Sequence, residues 1–233
     1  MNWNHSKERI EGIRLLILDL DGTLADTIGS IREAVNETMK EFSFGAKSYG
    51  EVRAAIGNGA HALIDRCIPS DVELTAERRE AMYRSYDEAY GRTFSHFHDC
   101  YEGMVEALSV LKERGYTLAV LSNKQDAYVK ALTEQLLPKG MVSMAMGQTD
   151  RPRKPDPTVP LDMASSLGFT AEEAAFVGDS EVDIQTAKRA GMLPVGCLWG
   201  YRDEELLQKE GAAVILKHPA ELAELFSKRL PSE

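Results

Sequence analysis

Short apolar runs and amphipathic stretches alternate along most of this chain. Runs as short as these, without internal alternation, predict strands that are buried on both faces. The predicted strands are Leu15–Leu18, Thr117–Leu121, Met141–Met146, Ala174–Val177, Leu193–Cys197 and Ala212–Leu216. The stretches between the later runs carry apolar residues at helical spacing. They predict helices over Val105–Arg114, Ala127–Leu137, Val159–Leu167, Ile184–Ala190, Glu204–Lys209 and Ala220–Lys228. This order predicts an α/β fold, a Rossmann-like parallel sheet with helices on both sides.

One long segment interrupts the alternation. Between Asp26 and Phe97 only helical patterns occur, such as Ile31–Phe42 and Ala76–Tyr90, with a capping-box pattern at Ser30–Glu33 that predicts a helix start. A helical block between the first two strands of a sheet is typical of an inserted subdomain. We therefore predict a core domain of residues 1–25 and 98–233 and a helical domain of residues 26–97.

Composition and charge narrow the functional classes. The formal charge of −10, from 27 basic and 37 acidic residues, disfavours binding to nucleic acid or to an anionic membrane, since both need a basic surface. The three cysteines are far apart and show no disulfide or zinc-site spacing. The polar N-terminus lacks the apolar segment of a signal peptide, and no run is long enough to span a membrane. We expect a cytoplasmic protein, a monomer or a homodimer.

The first predicted strand delivers two aspartates into a Gly-Thr turn. Residues two apart on a strand face the same way, so Asp19 and Asp21 leave the strand end on one side. Two neighbouring carboxylates resist joint ionisation unless a cation or a shared proton intervenes, and Mg²⁺ prefers such oxygen ligands. The alternative interpretation is that one aspartate caps the next helix and the other is solvated.

Three further polar segments accompany this one. They are Ser122-Asn123-Lys124, Lys154-Pro155-Asp156-Pro157 and Gly178-Asp179-Ser180-Glu181-Val182-Asp183. Ligands of open α/β sheets bind at the carboxyl ends of strands, where most of these segments lie. Together they offer carboxylates for a cation, donors for an anion and a fixed positive charge, which suits phosphoryl transfer. The alternatives are that Ser122 and Asn123 cap a helix, that Lys154 is solvated, and that Asp183 is an N-cap.

With these four motifs in this order, the chain resembles the haloacid dehalogenase-like hydrolase superfamily from Asp19 to about Leu216. The resemblance implies that Asp19 is the nucleophile. It implies that Asp21 is the acid and base of the reaction, with its backbone carbonyl also on the metal. In this interpretation the helical domain is a mobile cap that excludes water and selects the substrate.

The remaining motif residues receive roles from the same resemblance. Ser122 and Asn123 would hold the phosphoryl group, with Thr23 also among the substrate-binding residues. Lys154 would neutralise Asp19 and the phosphate. Asp179 would bind Mg²⁺, and Asp183 would bind the ion or support its site.

Within the superfamily, Asp21 favours phosphatases over the dehalogenases and phosphonate-cleaving enzymes, which lack an aspartate there. Two regions resemble phosphoglycolate phosphatases: residues 56–64, which include Gly57, Asn58 and Gly59, and residues 199–202. We therefore expect a Mg²⁺-dependent phosphatase that acts on a small phosphorylated metabolite, with 2-phosphoglycolate first.

The carboxylate of that substrate would need a donor from the cap, either the backbone of Gly57–Gly59 or one of Arg53 and Arg66. Gly57, Asn58 and Gly59 could equally form an ordinary turn before a helix. Pyrophosphatases, sugar-phosphate phosphatases and phosphomutases of the same fold remain alternatives to this substrate, as does a non-catalytic phosphate-binding module.

Overall fold

A computed structural model of the protein describes residues 9–96 and 98–228. These residues form two compact units. One comprises the chain up to Ala25 and from Cys100 onward, and the other is Asp26–Asp99. The polar N-terminal residues 1–8, on which the expected location partly rests, and Phe97 at the predicted domain boundary lie outside the described residues.

The first unit is built on a six-stranded parallel sheet. Its strands are β1 (Leu15–Leu18), β4 (Thr117–Gln125), β5 (Met144–Gln148), β6 (Ala174–Gly178), β7 (Leu193–Cys197) and β8 (Val214–Leu216). Their order across the sheet is β5-β4-β1-β6-β7-β8. Two further short strands, β2 (Ala25–Asp26) and β3 (Asp99–Cys100), pair where the chain passes between the units. The predicted parallel α/β sheet is confirmed.

Strand β1 lies in the middle of this sheet, and its pairing shows which residues of the neighbouring strands lie level with its end. Its last residue, Leu18, pairs with Val120 of β4 on one side and with Val177 of β6 on the other. All four residues of β1 are fully buried, as an apolar run flanked by strands and covered by helices requires. The register therefore brings the residues that follow β1, β4 and β6 to the same edge.

Helices of the first unit follow the strands. They are α5 (Met104–Glu113), α6 (Asp126–Leu136), α7 (Thr158–Ser166), α8 (Glu181–Ala190), α9 (Glu204–Glu210) and α10 (Glu221–Leu225). Helix α8 begins three residues earlier than predicted, because Ser180 caps it and residues 181–183 form its first turn. Side chains of β1, β4 and β6 pack with those of α7 and α8 in one apolar cluster, which includes Ile17, Leu121 and Phe176.

The described residues of the second unit form four helices. They are α1 (Ile28–Glu41), α2 (Tyr49–Ala55), α3 (Ala60–Cys67) and α4 (Ala76–Thr93). The predicted capping box at Ser30 is wrong: α1 begins at Ile28, so Ser30 lies inside its first turn and is fully buried. The capping box of this unit is instead at Ser48, whose hydroxyl accepts from the backbone N–H of Glu51.

In the part of the chain that the structure describes, none of the helices combines the length and the hydrophobicity that crossing a membrane requires.

Candidate active site

Polar residues from five strands meet at the carboxyl edge of the sheet. Residues 19–21 follow β1, and residues 122–124 form the last part of β4. Lys154 lies in the loop after β5, Asp179 follows β6, and residues 199–201 follow β7. The candidate site therefore lies where parallel strands of an open sheet bind ligands.

Asp19 is buried and paired with a lysine. Its Oδ1 accepts the backbone N–H of Leu20 at 2.7 Å and lies 2.9 Å from Nζ of Lys154. The same Nζ lies 2.7 Å from Oδ1 of Asp183, and the Lys154 residue is only 4% exposed. The interpretation of Lys154 as a solvated loop residue is therefore wrong. One ammonium group bridges two carboxylates.

Asp183 is held on both of its oxygens. Its Oδ2 accepts from the hydroxyl of Ser180 at 2.6 Å and from the backbone N–H of Ser180 at 3.1 Å, while Oδ1 faces Lys154. Asp183 is thus the third residue of α8 in a capping box, and the interpretation as an N-cap is wrong because Ser180 has that position. A Cβ on Gly178 would overlap the Asp183 side chain, so the glycine permits this close packing.

Asp179 is held by one backbone N–H and one side-chain hydroxyl, from the segments that follow two other strands. Its Oδ2 accepts the backbone N–H of Tyr201 at 2.7 Å, and its Oδ1 accepts from the hydroxyl of Thr23 at 3.3 Å. A Cβ on Gly22 or on Gly200 would overlap this carboxylate. Thr23 is fully buried with its hydroxyl on Asp179, and substrate binding by Thr23 stays a prediction.

Asn123 ties the end of β4 to the Lys154 backbone. Its Nδ2 donates to the carbonyl of Lys154 at 3.0 Å, and its Oδ1 accepts the backbone N–H of Lys154 at 2.9 Å. Ser122, which is 5% exposed, accepts the backbone N–H of Lys124 at 3.4 Å. Neither residue caps the following helix, whose N-cap is Gln125, so that alternative is wrong.

Asp21 carries a second lysine. Nζ of Lys124 lies 2.5 Å from Oδ1 and 2.7 Å from Oδ2 of Asp21, with only 7% and 12% of the two side chains exposed. The two aspartates that follow β1 are therefore each paired with a different lysine. Neither is a solvated residue or a helix cap, so that interpretation is wrong.

Burial and neighbouring charges change the pKa values of two acids and one lysine in this site. Burial raises the pKa of Asp19 to about 6, an effect that Lys154 opposes and that Asp183 and Asp21 reinforce. Burial likewise raises the pKa of Asp179 well above its ordinary value, with repulsion from Asp183 and Asp19 adding to it. Burial alone would lower the pKa of Lys154, but the neighbouring carboxylates outweigh it and hold that pKa above its usual range.

These residues fit a divalent cation. One ligand oxygen of each of Asp19, Asp179 and Asp183 lies within 4.8 Å of the others, and all three residues are buried. Three carboxylates with one bridging ammonium group leave a net negative charge in a site that excludes water. Hard divalent cations take such oxygen ligands and would relieve the repulsion that adds to burial in raising the two pKa values.

Gly57, Asn58 and Gly59 lie in the helical unit, directly before α3, where Gly59 is the N-cap residue with φ +84°. Arg66 holds this turn by donating to the carbonyl of Ala55 at 2.9 Å and to Oδ1 of Asn58 at 2.6 Å. Substrate binding by the three turn residues stays a prediction.

Three features of the site have no counterpart in the sequence analysis. Lys124 belongs to the Ser122-Asn123-Lys124 motif, in which it was given no role, and its contact with Asp21 appears only in the structure. The hydroxyl of Ser180 supports Asp183 through a capping box, in which Asp183 has the position that Glu or Gln usually has. Residues 199–201, for which the sequence offers only a resemblance, support two neighbouring segments: the indole N–H of Trp199 donates to the carbonyl of Thr23 at 2.9 Å, and the backbone N–H of Tyr201 donates to Asp179.

Known proteins are similar to this chain over most of its length. A Phosphoglycolate phosphatase 1 from Pseudomonas aeruginosa is 30% identical over 213 residues, which cover 90% of this chain and 78% of the relative. A phosphoglycolate phosphatase from Mesorhizobium japonicum is 31% identical over 222 residues, which cover 92% of this chain and 95% of the relative.

Solved structures and a family model give the same result. The crystal structure of a predicted phosphoglycolate phosphatase from Haemophilus somnus has a TM-score of 0.85 at 28% identity, covering 92% of this chain and 98% of the other. The model of the haloacid dehalogenase-like hydrolases matches residues 16–196, a range that runs from β1 into β7 and contains all four acids of the site. The chain belongs to the haloacid dehalogenase-like hydrolase family.

Proposed function

We propose that this protein is a Mg²⁺-dependent phosphatase that hydrolyses a small phosphomonoester through an aspartyl-phosphate. The observation that carries the proposal is the setting of Asp19. This carboxylate lies at the end of the central strand, 2.9 Å from a buried ammonium group and beside Asp179 and Asp183. A carboxylate nucleophile divides a difficult displacement into two easier ones.

In the first step a carboxylate oxygen of Asp19 attacks phosphorus. The new bond between Asp19 and phosphorus forms as the bond to the ester oxygen breaks, and Asp21 donates a proton to the departing oxygen. In the second step water attacks the same phosphorus and gives a proton to Asp21, while the bond between phosphorus and the Asp19 oxygen breaks and frees that carboxylate. Inorganic phosphate leaves, and both carboxyl groups return to their starting states.

The other residues stabilise charge and hold position. Lys154 neutralises Asp19 and an oxygen of the phosphoryl group, while Ser122 and the backbone N–H of Asn123 donate to its other oxygens. Asn123 also fixes Lys154 through its pair of backbone hydrogen bonds.

Asp19, the backbone carbonyl of Asp21 and Asp179 would hold Mg²⁺, with Asp183 on the ion or orienting Lys154. The ion supplies charge neutralisation on the phosphoryl oxygens when it is bound.

The relatives with this name make 2-phosphoglycolate the first substrate to test. We assign selection among small phosphomonoesters in part to the helical unit, and we place the protein in the cytoplasm.

The test is the release of inorganic phosphate from a panel of phosphorylated metabolites and from an aryl phosphate. Asp19→Asn should lower turnover by more than about 10³-fold, since it removes the nucleophile. Asp71→Asn, at an exposed turn of the helical unit, is the matched control and should retain full activity. Chelation should stop the reaction, and returned Mg²⁺ should restore it.

Substantial turnover by Asp19→Asn would remove Asp19 from the nucleophile role. An isomerised sugar phosphate in place of free phosphate would identify a phosphomutase, and no product from any substrate would identify a non-catalytic binding protein. Faster hydrolysis of pyrophosphate or of sugar phosphates would overturn 2-phosphoglycolate and leave the phosphatase assignment standing.

A further inference from the structure

Lys124 has no part in the steps above, yet it lies on the residue that protonates the leaving group. Its Nζ contacts both carboxylate oxygens of Asp21, at 2.5 and 2.7 Å. Both side chains are nearly buried, which strengthens their electrostatic interactions by excluding water. A charged group in this position is well placed to act on a ligand.

The other lysine of the site, Lys154, contacts different carboxylates. Nζ of Lys154 lies between Asp19 and Asp183, at 2.9 and 2.7 Å, on the side where phosphorus is attacked. The two ammonium groups thus serve different parts of a phosphomonoester. Lys154 faces the phosphoryl group, and Lys124 faces the acid that must reach the ester oxygen.

We propose that Lys124 binds the carboxylate of the leaving group and so makes this site select phosphomonoesters of 2-hydroxy carboxylic acids. The inference rests on the proposed phosphatase function. To donate its proton, Asp21 must come within about 3 Å of the ester oxygen. In a phosphorylated 2-hydroxy acid a single carbon separates that oxygen from the carboxyl carbon, so a cation on Asp21 lies beside the substrate carboxylate.

This assignment moves carboxylate recognition from the helical unit to the sheet edge. Arg66, one of the two arginines expected to bind the carboxylate, is instead engaged with the carbonyl of Ala55 and the side chain of Asn58. Lys124 is carried by strand β4, next to Ser122, so its position is set by the same rigid element that carries a predicted phosphate ligand.

A different role for Lys124 would be to position Asp21 alone. The two roles differ in what they do to substrates. A positioning role affects every substrate whose leaving group needs a proton. Carboxylate binding affects only substrates that carry the carboxylate.

The experiment compares kcat/KM for three substrates in the full-length protein with Mg²⁺. They are 2-phosphoglycolate, 2-hydroxyethyl phosphate, which replaces the carboxylate with an alcohol, and p-nitrophenyl phosphate, whose leaving group needs no proton. The variants are Lys124→Met and Lys124→Arg, with Lys112→Met, at an exposed site on α5, as the matched control. If Lys124→Met fails to fold, Lys124→Gln replaces it under the same criterion.

We expect Lys124→Met to reduce the preference for 2-phosphoglycolate over 2-hydroxyethyl phosphate by about 10- to 100-fold, the scale of one charged hydrogen bond. The change should fall mainly on KM, and Lys124→Arg should keep most of the preference. Lys112→Met should leave it unchanged.

Equal losses on both alkyl phosphates, with p-nitrophenyl phosphate unaffected, would show that Lys124 acts through Asp21 and would overturn the proposal. A preserved preference in Lys124→Met would overturn it too, while the phosphatase function stands. A wild-type protein that releases phosphate neither from these three substrates nor from the wider metabolite panel would remove the proposed function and this inference with it.

Discussion

Replacing Asp19 with asparagine should stabilise the metal-free protein at neutral and alkaline pH while it abolishes activity. Burial raises the pKa of Asp19 to about 6, compared with an ordinary value of 3.8. A difference of about two pH units corresponds to about 3 kcal/mol between the protonated and ionised forms. At pH 8, ionised Asp19 therefore destabilises the folded, metal-free protein by about that amount.

The sign of the pH dependence follows from the direction of this change. Because the pKa of Asp19 is higher in the folded state, the folded protein binds more protons than the unfolded chain between about pH 4 and pH 6. Its favourable contribution is fully present below about pH 4 and is lost as the pH rises through 6. Asparagine cannot ionise, and its Oδ1 can still accept from Leu20 and Lys154 as Asp19 does.

The measurement is urea unfolding of both proteins in chelator from pH 4.5 to pH 8. We expect the advantage of Asp19→Asn over the wild type to grow by about 2 kcal/mol across this range. Asp71→Asn should show no such growth. Added Mg²⁺ at about 100 times its dissociation constant should stabilise the wild type by about 2.7 kcal/mol at pH 8 and the variant by less.

A difference between wild type and Asp19→Asn that stays constant with pH would refute this reasoning. So would a larger stabilisation of the variant by Mg²⁺, since the variant lacks one of the proposed ligand carboxylates.

Two other substitutions test the supports of the site. Gly200→Ala should weaken Mg²⁺ binding at least tenfold and cost about 1–3 kcal/mol of stability, because a Cβ there would overlap the Gly22 carbonyl and Asp179. Metal titration and unfolding check this, with Gly45→Ala, whose Cβ would meet nothing within 4 Å, as control. Ser180→Ala should cost about 1–2 kcal/mol by removing the helix cap and the 2.6 Å hydrogen bond to Asp183. It should also lower kcat, because Asp183 orients Lys154; unchanged kcat with reduced stability would make Ser180 a cap alone.

The strands were predictable because burial on both faces leaves a plain signal. Leu193–Cys197 was predicted to the residue, and β1 was as well. Strand β4 extends four residues beyond the predicted Leu121, through the polar segment that lines the site. Extended backbone continues there because β5 pairs with it again at Gln125, and no hydrophobic pattern records that pairing.

Helix starts were less predictable because short capping patterns are satisfied in more than one place. Ser30 and Glu33 have capping-box spacing, but the chain enters α1 earlier, after β2 and Thr27. At Ser48 the same spacing does form a capping box. The capping-box pattern is local, whereas the start of α1 depends on where the preceding strand β2 ends.

The site shows a similar division between local and long-range information. Alternation and strand ends bring Asp19, Asp21 and Asp179 to one edge, and the sequence contains both signals. The partners of Asp19 and Asp179 come in part from loops that belong to distant parts of the chain. Lys154 reaches Asp19 across 135 positions, and no local pattern indicates that its loop folds inward instead of into solvent.

The arrangement of charges separates two tasks that act on neighbouring oxygens. The proposed nucleophile Asp19 is paired with Lys154, which it shares with Asp183, and the proposed acid Asp21 is paired with Lys124. A substrate with two anionic groups, a phosphate and a carboxylate, therefore meets a separate ammonium group at each end. A substrate that has a phosphate and no carboxylate would gain no binding energy from Lys124, which would stay paired with Asp21. If the proposal is correct, the core itself discriminates between these substrates.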